Sequence, residues 1–175
     1  MLIAMVGDGQ LAEVLARAAE RAGQTVVWMH SGDASRATRD ADVVILAGSQ
    51  MASRSLDTVA QSAGGSVIID AADPSVFSKL PRTARVVRAF ASVPVDALAA
   101  ATTDDATDIL GVPLAGNDVK AKTIVASLMH GMGLEPFDVG ALAAADLLEP
   151  GGALWGRALT PIELLEQVGE LSGDG

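Results

Sequence analysis

The sequence has no cysteine and no tyrosine, and only two histidines, His30 and His130. Without cysteine there is no disulfide framework, no Cys-ligated zinc or iron–sulfur cluster and no thiol nucleophile. Two histidines cannot build a multi-histidine metal site. The missing tyrosine removes any phenol acid, including the Tyr–Lys pair of short-chain dehydrogenases. Basic residues are scarce as well: 12 Lys and Arg against 22 Asp and Glu leave a formal net charge of −10. That balance excludes nucleic acid as a partner, because phosphate backbones need clustered cations. Long apolar runs are also lacking. The first, Leu2–Val6, ends in Gly7-Asp8-Gly9, and no stretch approaches the ~20 residues of a membrane span or the pattern of a signal peptide. The expectation is a cytoplasmic protein with no membrane partner.

What is present suits a folded enzyme-sized unit. Half of the 175 residues are apolar and 19% are charged, enough to bury a real core. The length fits a single domain spanning 1–175, with 139–175 as a C-terminal helical extension. Negative charge gathers late: after Thr123 the only Lys or Arg is Arg157, against eight acids. The earlier part carries Arg36, Arg39, Arg54, Arg82, Arg85 and Arg88, which could accept an anionic ligand.

Short apolar runs alternate with helical patterns along the chain. Leu2–Val6, Thr25–Met29, Val43–Ala47, Ser66–Asp70 and Arg85–Ala89 read as strands. Leu11–Ala22 and Gln50–Ala63 read as helices, and Asp73–Pro81 as a loop with one helical turn. Val95–Ala101 reads as a short helix and Val112–Ala115 as a strand. Asn117 or Asp118 then caps a helix to about His130, and Gly133–Phe137 reads as a last strand. The tail from Ala141 to Leu171 reads as helix broken at Pro150-Gly151-Gly152, restarting at Thr160-Pro161-Ile162-Glu163 with a capping box. This alternation predicts an α/β fold of the Rossmann type, with a doubly wound, mainly parallel sheet.

Gly7-Asp8-Gly9-Gln10-Leu11-Ala12 fits G-x-G-x-x-A directly after the first strand and at the start of the first helix. That is the context a dinucleotide fingerprint requires. Gly7 permits the tight turn, Gly9 lets a pyrophosphate approach the backbone, and Ala12 allows close helix–strand contact. Gly7, Asp8, Gly9, Gln10 and Leu11 are therefore candidate cofactor-binding residues, the phosphates lying at the helix N-terminus. Asp8 would repel phosphate if it pointed inward, so its side chain is expected to face solvent or cap the turn. After the second strand, His30 and Ser31 stand where NAD enzymes usually carry an acid. Neither repels a 2′-phosphate, and Arg36 follows closely enough to pair with one, which favours NADP over NAD. Asp33 is the residue that could reverse that preference. The apolar C-terminal segments, with Leu147, Leu148, Leu154, Leu159, Leu164 and Leu165, fit either a folded-back pair or a homodimer interface.

The motifs together resemble the NADP-dependent coenzyme F420 reductase family (F420:NADP oxidoreductases). The resemblance runs through the glycine loop, Ala41-Asp42-Val43-Val44-Ile45-Leu46-Ala47, Val67-Ile68-Ile69-Asp70-Ala71-Ala72-Asp73-Pro74, and Val86-Val87-Arg88-Ala89-Phe90-Ala91-Ser92-Val93-Pro94. Its least generic part is late: Val112-Pro113-Leu114-Ala115-Gly116-Asn117-Asp118, then Asp138-Val139-Gly140-Ala141-Leu142 with the trailing Leu148-Glu149. The resemblance implies a Rossmann-type fold and hydride transfer between nicotinamide C4 and deazaflavin C5. It implies a nicotinamide near Ala47-Gly48-Ser49 and Ala71-Ala72, with the deazaflavin approaching the Ala91-Ser92-Val93-Pro94 loop and the chain after Asp138. Hydride transfer between two bound cofactors needs alignment and dryness, with no obligatory protein acid or nucleophile. The residues after the second strand and in the Phe90–Pro94 turn depart from the family pattern. Two alternatives therefore stand beside it: a reductase using a flavin, ferric or imine acceptor, and a non-catalytic NAD(P)-binding redox-sensing module.

Overall fold

Apolar runs too short to make helices become strands because their β-branched residues fill both faces of a pleated sheet. In a computed structural model, which describes residues 1–29, 34–49 and 53–173, these runs are β1 (Leu2–Gly7), β2 (Thr25–Trp28), β3 (Val43–Gly48), β4 (Val67–Ala72) and β5 (Arg85–Ala89). Two further strands, β6 (Gly111–Gly116) and β7 (Glu135–Gly140), complete one sheet in the order β2-β1-β3-β4-β5-β6-β7. Pairing is parallel throughout except between β5 and β6. This is the Rossmann-like α/β architecture that the alternation predicts.

The helices are α1 (Gly9–Arg21), α2 (Ala34–Asp40), α3 (Ser53–Ser62), α4 (Val95–Ala101), α5 (Val119–Gly131) and α6 (Pro161–Gly173). On one sheet face Met5, Ile45 and Ile69 pack under Leu15 of α1, Leu98 of α4 and Leu128 of α5. On the other, Leu46 and Ile68 pack under Leu56 and Val59 of α3. A separate apolar cluster sits where the C-terminal segments fold back: Leu148, Leu154 and Leu164, each 1% exposed, gather over Ala115. Burial in the chain itself thus accounts for these three leucines, while Leu165 stays exposed.

Several boundaries differ from the sequence reading, each for a local reason. The helix α2 is only seven residues of mostly polar character, too short to show a helical period. β7 reaches Gly140, so Val139 and Gly140 belong to the sheet and the helical tail begins after them. That tail opens as a 3₁₀ segment, Leu142–Leu148, and then turns sharply. A Cβ on Gly152 would lie 2.2 Å from the carbonyl oxygen of Asp146. Only glycine lets the chain double back there, where Leu154 N–H donates to the Leu147 carbonyl. The capping box forms as read: Thr160 N–H and Oγ1 both donate to Glu163 Oε2.

Asp118 is the N-cap of α5. Its Oδ1 accepts from Ala121 N–H at 3.0 Å and its Oδ2 from Arg85 Nε at 2.7 Å. The Arg85 hydrogen bond, then the Ala121 N–H, hold its carboxyl below the usual aspartate value. A depressed carboxylate contributes stability that is fully present above its unfolded value of 3.8 and is lost as pH falls through the folded one. Asp118→Asn keeps a competent cap and removes only the charge. Urea unfolding of the two proteins should therefore differ at neutral pH, and the gap should close below about pH 4. A gap that persists to low pH would deny the ion pair its role.

Candidate functional site

The strand order reverses between β1 and β3: the chain leaves β1 toward β2 on one side and returns to β3 on the other. Ligands of open α/β sheets bind at such a switch point, outside the carboxyl ends of the strands. Here the end of β1 leaves no room for a side chain. A Cβ on Gly7 (φ +130) would sit 1.6 Å from the carbonyl oxygen of Ala47, and that same oxygen accepts from Asp8 N–H at 3.2 Å. Across from it, a Cβ on Gly48 would lie 2.9 Å from Asp8 Oδ1. Two absent side chains thus let the β1–α1 turn rest on the end of β3.

Above this contact opens a cleft of about 320 Å³, lined by Asp8, Gly9, Gln10, Leu11, Gly48, Ser49, Ala71, Asp73, Ala91, Val93 and Val95. Seven of the sequence candidates, Asp8, Gly9, Gln10, Leu11, Gly48, Ser49 and Ala91, meet in its wall. Gly7 and Ala47 form the strand-end contact beneath it. Ala72 and Ser92 do not line it: both are buried, Ala72 against the α3 face and Ser92 with its hydroxyl unpartnered. His30 and Ser31 lie outside the described residues, as does the side chain of Arg36. Trp155 is half-buried and takes no part in the cleft. Ala71 and Val93, which the family resemblance had placed by the two rings, line it too, and the lining residues that the sequence reading did not name are Asp73 and Val95. Ala71 and Asp73 flank Ala72 at the end of β4, and Val93 and Val95 follow β5, so the signal was the carboxyl end of each strand.

The helix N-terminus supplies the polar character of the near end. Asp8 is the N-cap of α1 in extended conformation, and its side chain makes no cap hydrogen bond. It is exposed but leans over Gly48 at the edge of the cleft, so its carboxylate is part of the lining and does not cap the turn as expected. A Cβ on Gly9 would meet no protein atom within 4 Å, so the space over the first turn of α1 is open to a ligand. The charged side chains of the lining are Asp8 and Asp73, with no cation among the described residues there. A phosphate would therefore be held by backbone N–H groups and the helix dipole.

The far wall is strained and heavily tied. Phe90, fully buried, has φ +69, and Ala91 N–H donates to the Ala89 carbonyl at 2.9 Å, a γ-turn of the rare positive-φ form. Such a conformation in a bulky residue costs about 1–3 kcal/mol and persists only where its surroundings over-determine it. Beneath it lies a buried charge cluster. Arg88 on β5 and Asp70 on β4 are register partners and both 0% exposed. Arg88 Nη1 donates to the carbonyls of Asp70 (3.0 Å) and Ala72 (2.6 Å) and lies 3.5 Å from Asp70 Oδ1. Its other edge faces Glu149, with Nε 2.8 Å from Oε1, off-line for a hydrogen bond, and Nη2 donating to Oε2 at 3.2 Å. Burial pushes the Asp70 carboxyl up. The Arg88 charge and the N–H groups of Val76, Ala72 and Phe77 oppose that shift. Arg88 is thus engaged within the fold and closed to an anionic ligand, while Arg85 is half-buried and paired with Asp118.

No family model matches the chain. Among solved structures it is similar to a hypothetical protein from Sinorhizobium meliloti, at 25% identity over 91% of this chain and 95% of that one, with a TM-score of 0.71. It is similar to a proposed F420-dependent NADP reductase from Arthrobacter sp. FB24, at 17% identity over 90% and 98% of the two chains, with a TM-score of 0.65. It also resembles Plasmodium falciparum pyrroline carboxylate reductase with NADP bound, at 12% identity and a TM-score of 0.59. That last match takes in 87% of this chain and 63% of the other. These likenesses establish the fold.

The two loop glycines should respond differently to a methyl group. Gly7→Ala forces a carbon into the Ala47 carbonyl and should cost more than about 4 kcal/mol, so that little folded protein is recovered. Gly9→Ala meets open space at φ +83 and should cost only about 1 kcal/mol in thermal unfolding, with a native circular dichroism spectrum. Equal losses for the two variants would contradict the strand-end contact.

Proposed function

We propose that the chain is an NAD(P)-dependent oxidoreductase, with NADP(H) as the favoured cofactor and a deazaflavin such as F420 as the acceptor. The observation that carries this reading is the cleft itself. It starts at an open helix N-terminus on the switch point and continues across the ends of β3, β4 and β5. In folds of this kind the adenosine half lies toward β2 and the pyrophosphate at α1. The remaining half of a dinucleotide then falls along Gly48, Ser49, Ala71 and Ala91. The similarity to reductases, one of them holding NADP, supports the same choice.

When bound, the nicotinamide supplies the hydride. The chain's own contribution is placement. Backbone N–H groups of the first turn of α1 hold the phosphates, and Gly9 leaves room for them. Small Ala71 and Ala91 let a flat ring lie against the strand ends, and Val93 and Val95 shield it from water. No side chain needs to give or take a proton for hydride to pass between two carbons held in contact. His30, Ser31 and Arg36 are proposed to meet the 2′-phosphate, and the whole of 1–175 to act as one cofactor-binding unit. A second reading has one observation in its favour: among the described residues the far wall offers, beyond Asp73, the apolar side chains of Ala71, Ala91, Val93 and Val95. That would suit a redox-sensing module, or a reductase of a flavin, ferric or imine acceptor.

The deciding experiment is a fluorescence titration with NADPH and with NADH, followed by addition of F420 to the same cuvette. The expected outcome is tighter binding of NADPH, oxidation by F420, and loss of binding in Gly9→Ala. Binding without oxidation would move the assignment to another acceptor or a sensor, and binding of neither nucleotide would end the reading. A homodimer through the C-terminal helices is proposed as well, since α6 exposes Ile162 (71%) and Leu165 (61%). Sedimentation at tens of micromolar (a range of about 10–100 μM) should show a dimer that Leu165→Glu dissociates. A monomer throughout would remove it.

A further inference from the structure

Three observations converge on the chain between Glu149 and Gly156. Glu149 holds the outer edge of the buried Arg88 guanidinium. Seven residues later, Gly156 N–H donates to the Ser92 carbonyl at 2.7 Å. Between these anchors, Leu154 is buried in the C-terminal cluster and its N–H is tied to Leu147. The two anchors grip β5 and its loop at positions 88 and 92. The positive-φ Phe90 and the cleft-lining Ala91 lie between those grips. Arg88 also reaches the other wall, since its Nη1 holds the carbonyl of Ala72, the residue between cleft-lining Ala71 and Asp73.

We propose that the segment 149–156 braces the cleft, with Arg88 and Glu149 as positioning residues that hold the strained Phe90 turn, and through it the wall at Ala91 and Val93, in ligand-binding shape. The argument is one of compensation. A strained turn in an apolar stretch relaxes unless both ends are fixed, and here both are fixed by one short piece of chain. An ion pair between a fully buried guanidinium and a carboxylate is a directional tie, because removing one partner leaves the other buried and uncompensated. The C-terminal part of the chain thereby acts on a site that it does not line. The consequence for a ligand rests on the dinucleotide reading above, whereas the consequence for the wall does not.

The test uses the whole chain and Glu149→Gln, which preserves shape and removes the charge. Hydrogen exchange in the free protein reads the wall directly. The amides of Ala91 and Val93 should exchange on the order of tenfold faster in the variant, the scale of losing a charge-assisted bond, while Ile45 and Ile69 are unchanged. In the unaltered chain, the amides of Ala91, Val93, Leu154 and Gly156 should share one opening event with a common denaturant dependence. That measurement stands even if the variant fails to fold. Binding then separates a positioning role from a merely structural one. NADPH should bind about tenfold more weakly to Glu149→Gln, the same bond read as an affinity, while 2′,5′-ADP, which carries only the adenosine half, binds as before. Unchanged exchange at Ala91 and Val93, or a uniform rise at every slow amide, would overturn the brace. Equal weakening of both ligands would overturn its selectivity for the far wall. If the unaltered chain binds neither ligand, the dinucleotide reading falls, and the exchange data alone decide the brace.

Discussion

The contact between the ends of β1 and β3, which admits no side chain, governs what the rest can be. Where Gly7 meets the Ala47 carbonyl there is no room for a single methyl group. The β1–α1 turn therefore lies flat on the switch point, and α1 starts beside the end of β3. Had either strand end carried a side chain, the helix N-terminus would stand away from the sheet. The cleft would then lose a surface able to hold an anion. The parallel register from Ile3↔Val43 through Gly7↔Ala47 carries the same constraint into the core, where Ile45 and Met5 are fully buried.

A second constraint replaces a helix by charge. On the α3 face, apolar cover ends around Val86 and Ala72, and the C-terminal cluster begins at Ala115. Ala115 is the register partner of Arg88 across the antiparallel pair. The seam between these two apolar bodies is filled by Asp70, Arg88 and Glu149. One cation against two acids is costly to bury, and the cost is met by many directed bonds: three backbone N–H groups on Asp70 and two backbone carbonyls on Arg88. Such a cluster adds little net stability compared with a well-packed apolar seam. What it does is fix where the tail lies relative to β4 and β5.

Local signals were legible in the sequence and assembled ones were not. Arg85–Ala89 and Val95–Ala101 appear with the boundaries read from the residues alone. The glycine loop, the Asp118 cap and the Thr160–Glu163 box also follow from residues within a few positions of each other. The near end of the cleft was therefore readable. The far end was readable only in part: the family resemblance pointed to Ala71, Ala91 and Val93, whereas Asp73 and Val95 follow separate strand ends that only the register brings beside them. Asp70 and Arg88 are 18 residues apart and Glu149 is 61 beyond Arg88, so their meeting has no sequence period to betray it. The tail read simply as helix, and its first segment is 3₁₀, a distinction that alanines and leucines do not announce. The close turn at Gly152 settled it by tertiary contact.

The electrostatics of the cleft set its reading apart from simple phosphate capture. The chain carries a net charge of −10, and Asp8 and Asp73 add carboxylates to the lining itself. An anionic ligand gains nothing from long-range steering here. Among the described lining residues its attraction comes from groups at contact distance: the unpaired N–H groups of α1, worth most where water is displaced. Those groups act only on an anion seated over Gly9, so the fold discriminates by position where a basic cleft would discriminate by charge alone. The carboxylate of Asp73 stands at the other end, by Ala71. There it repels a second phosphate but tolerates a neutral or cationic ring. A ligand that is anionic at one end and flat and uncharged or positive at the other satisfies both ends of the cleft at once, and a dinucleotide carrying a nicotinamide is such a molecule.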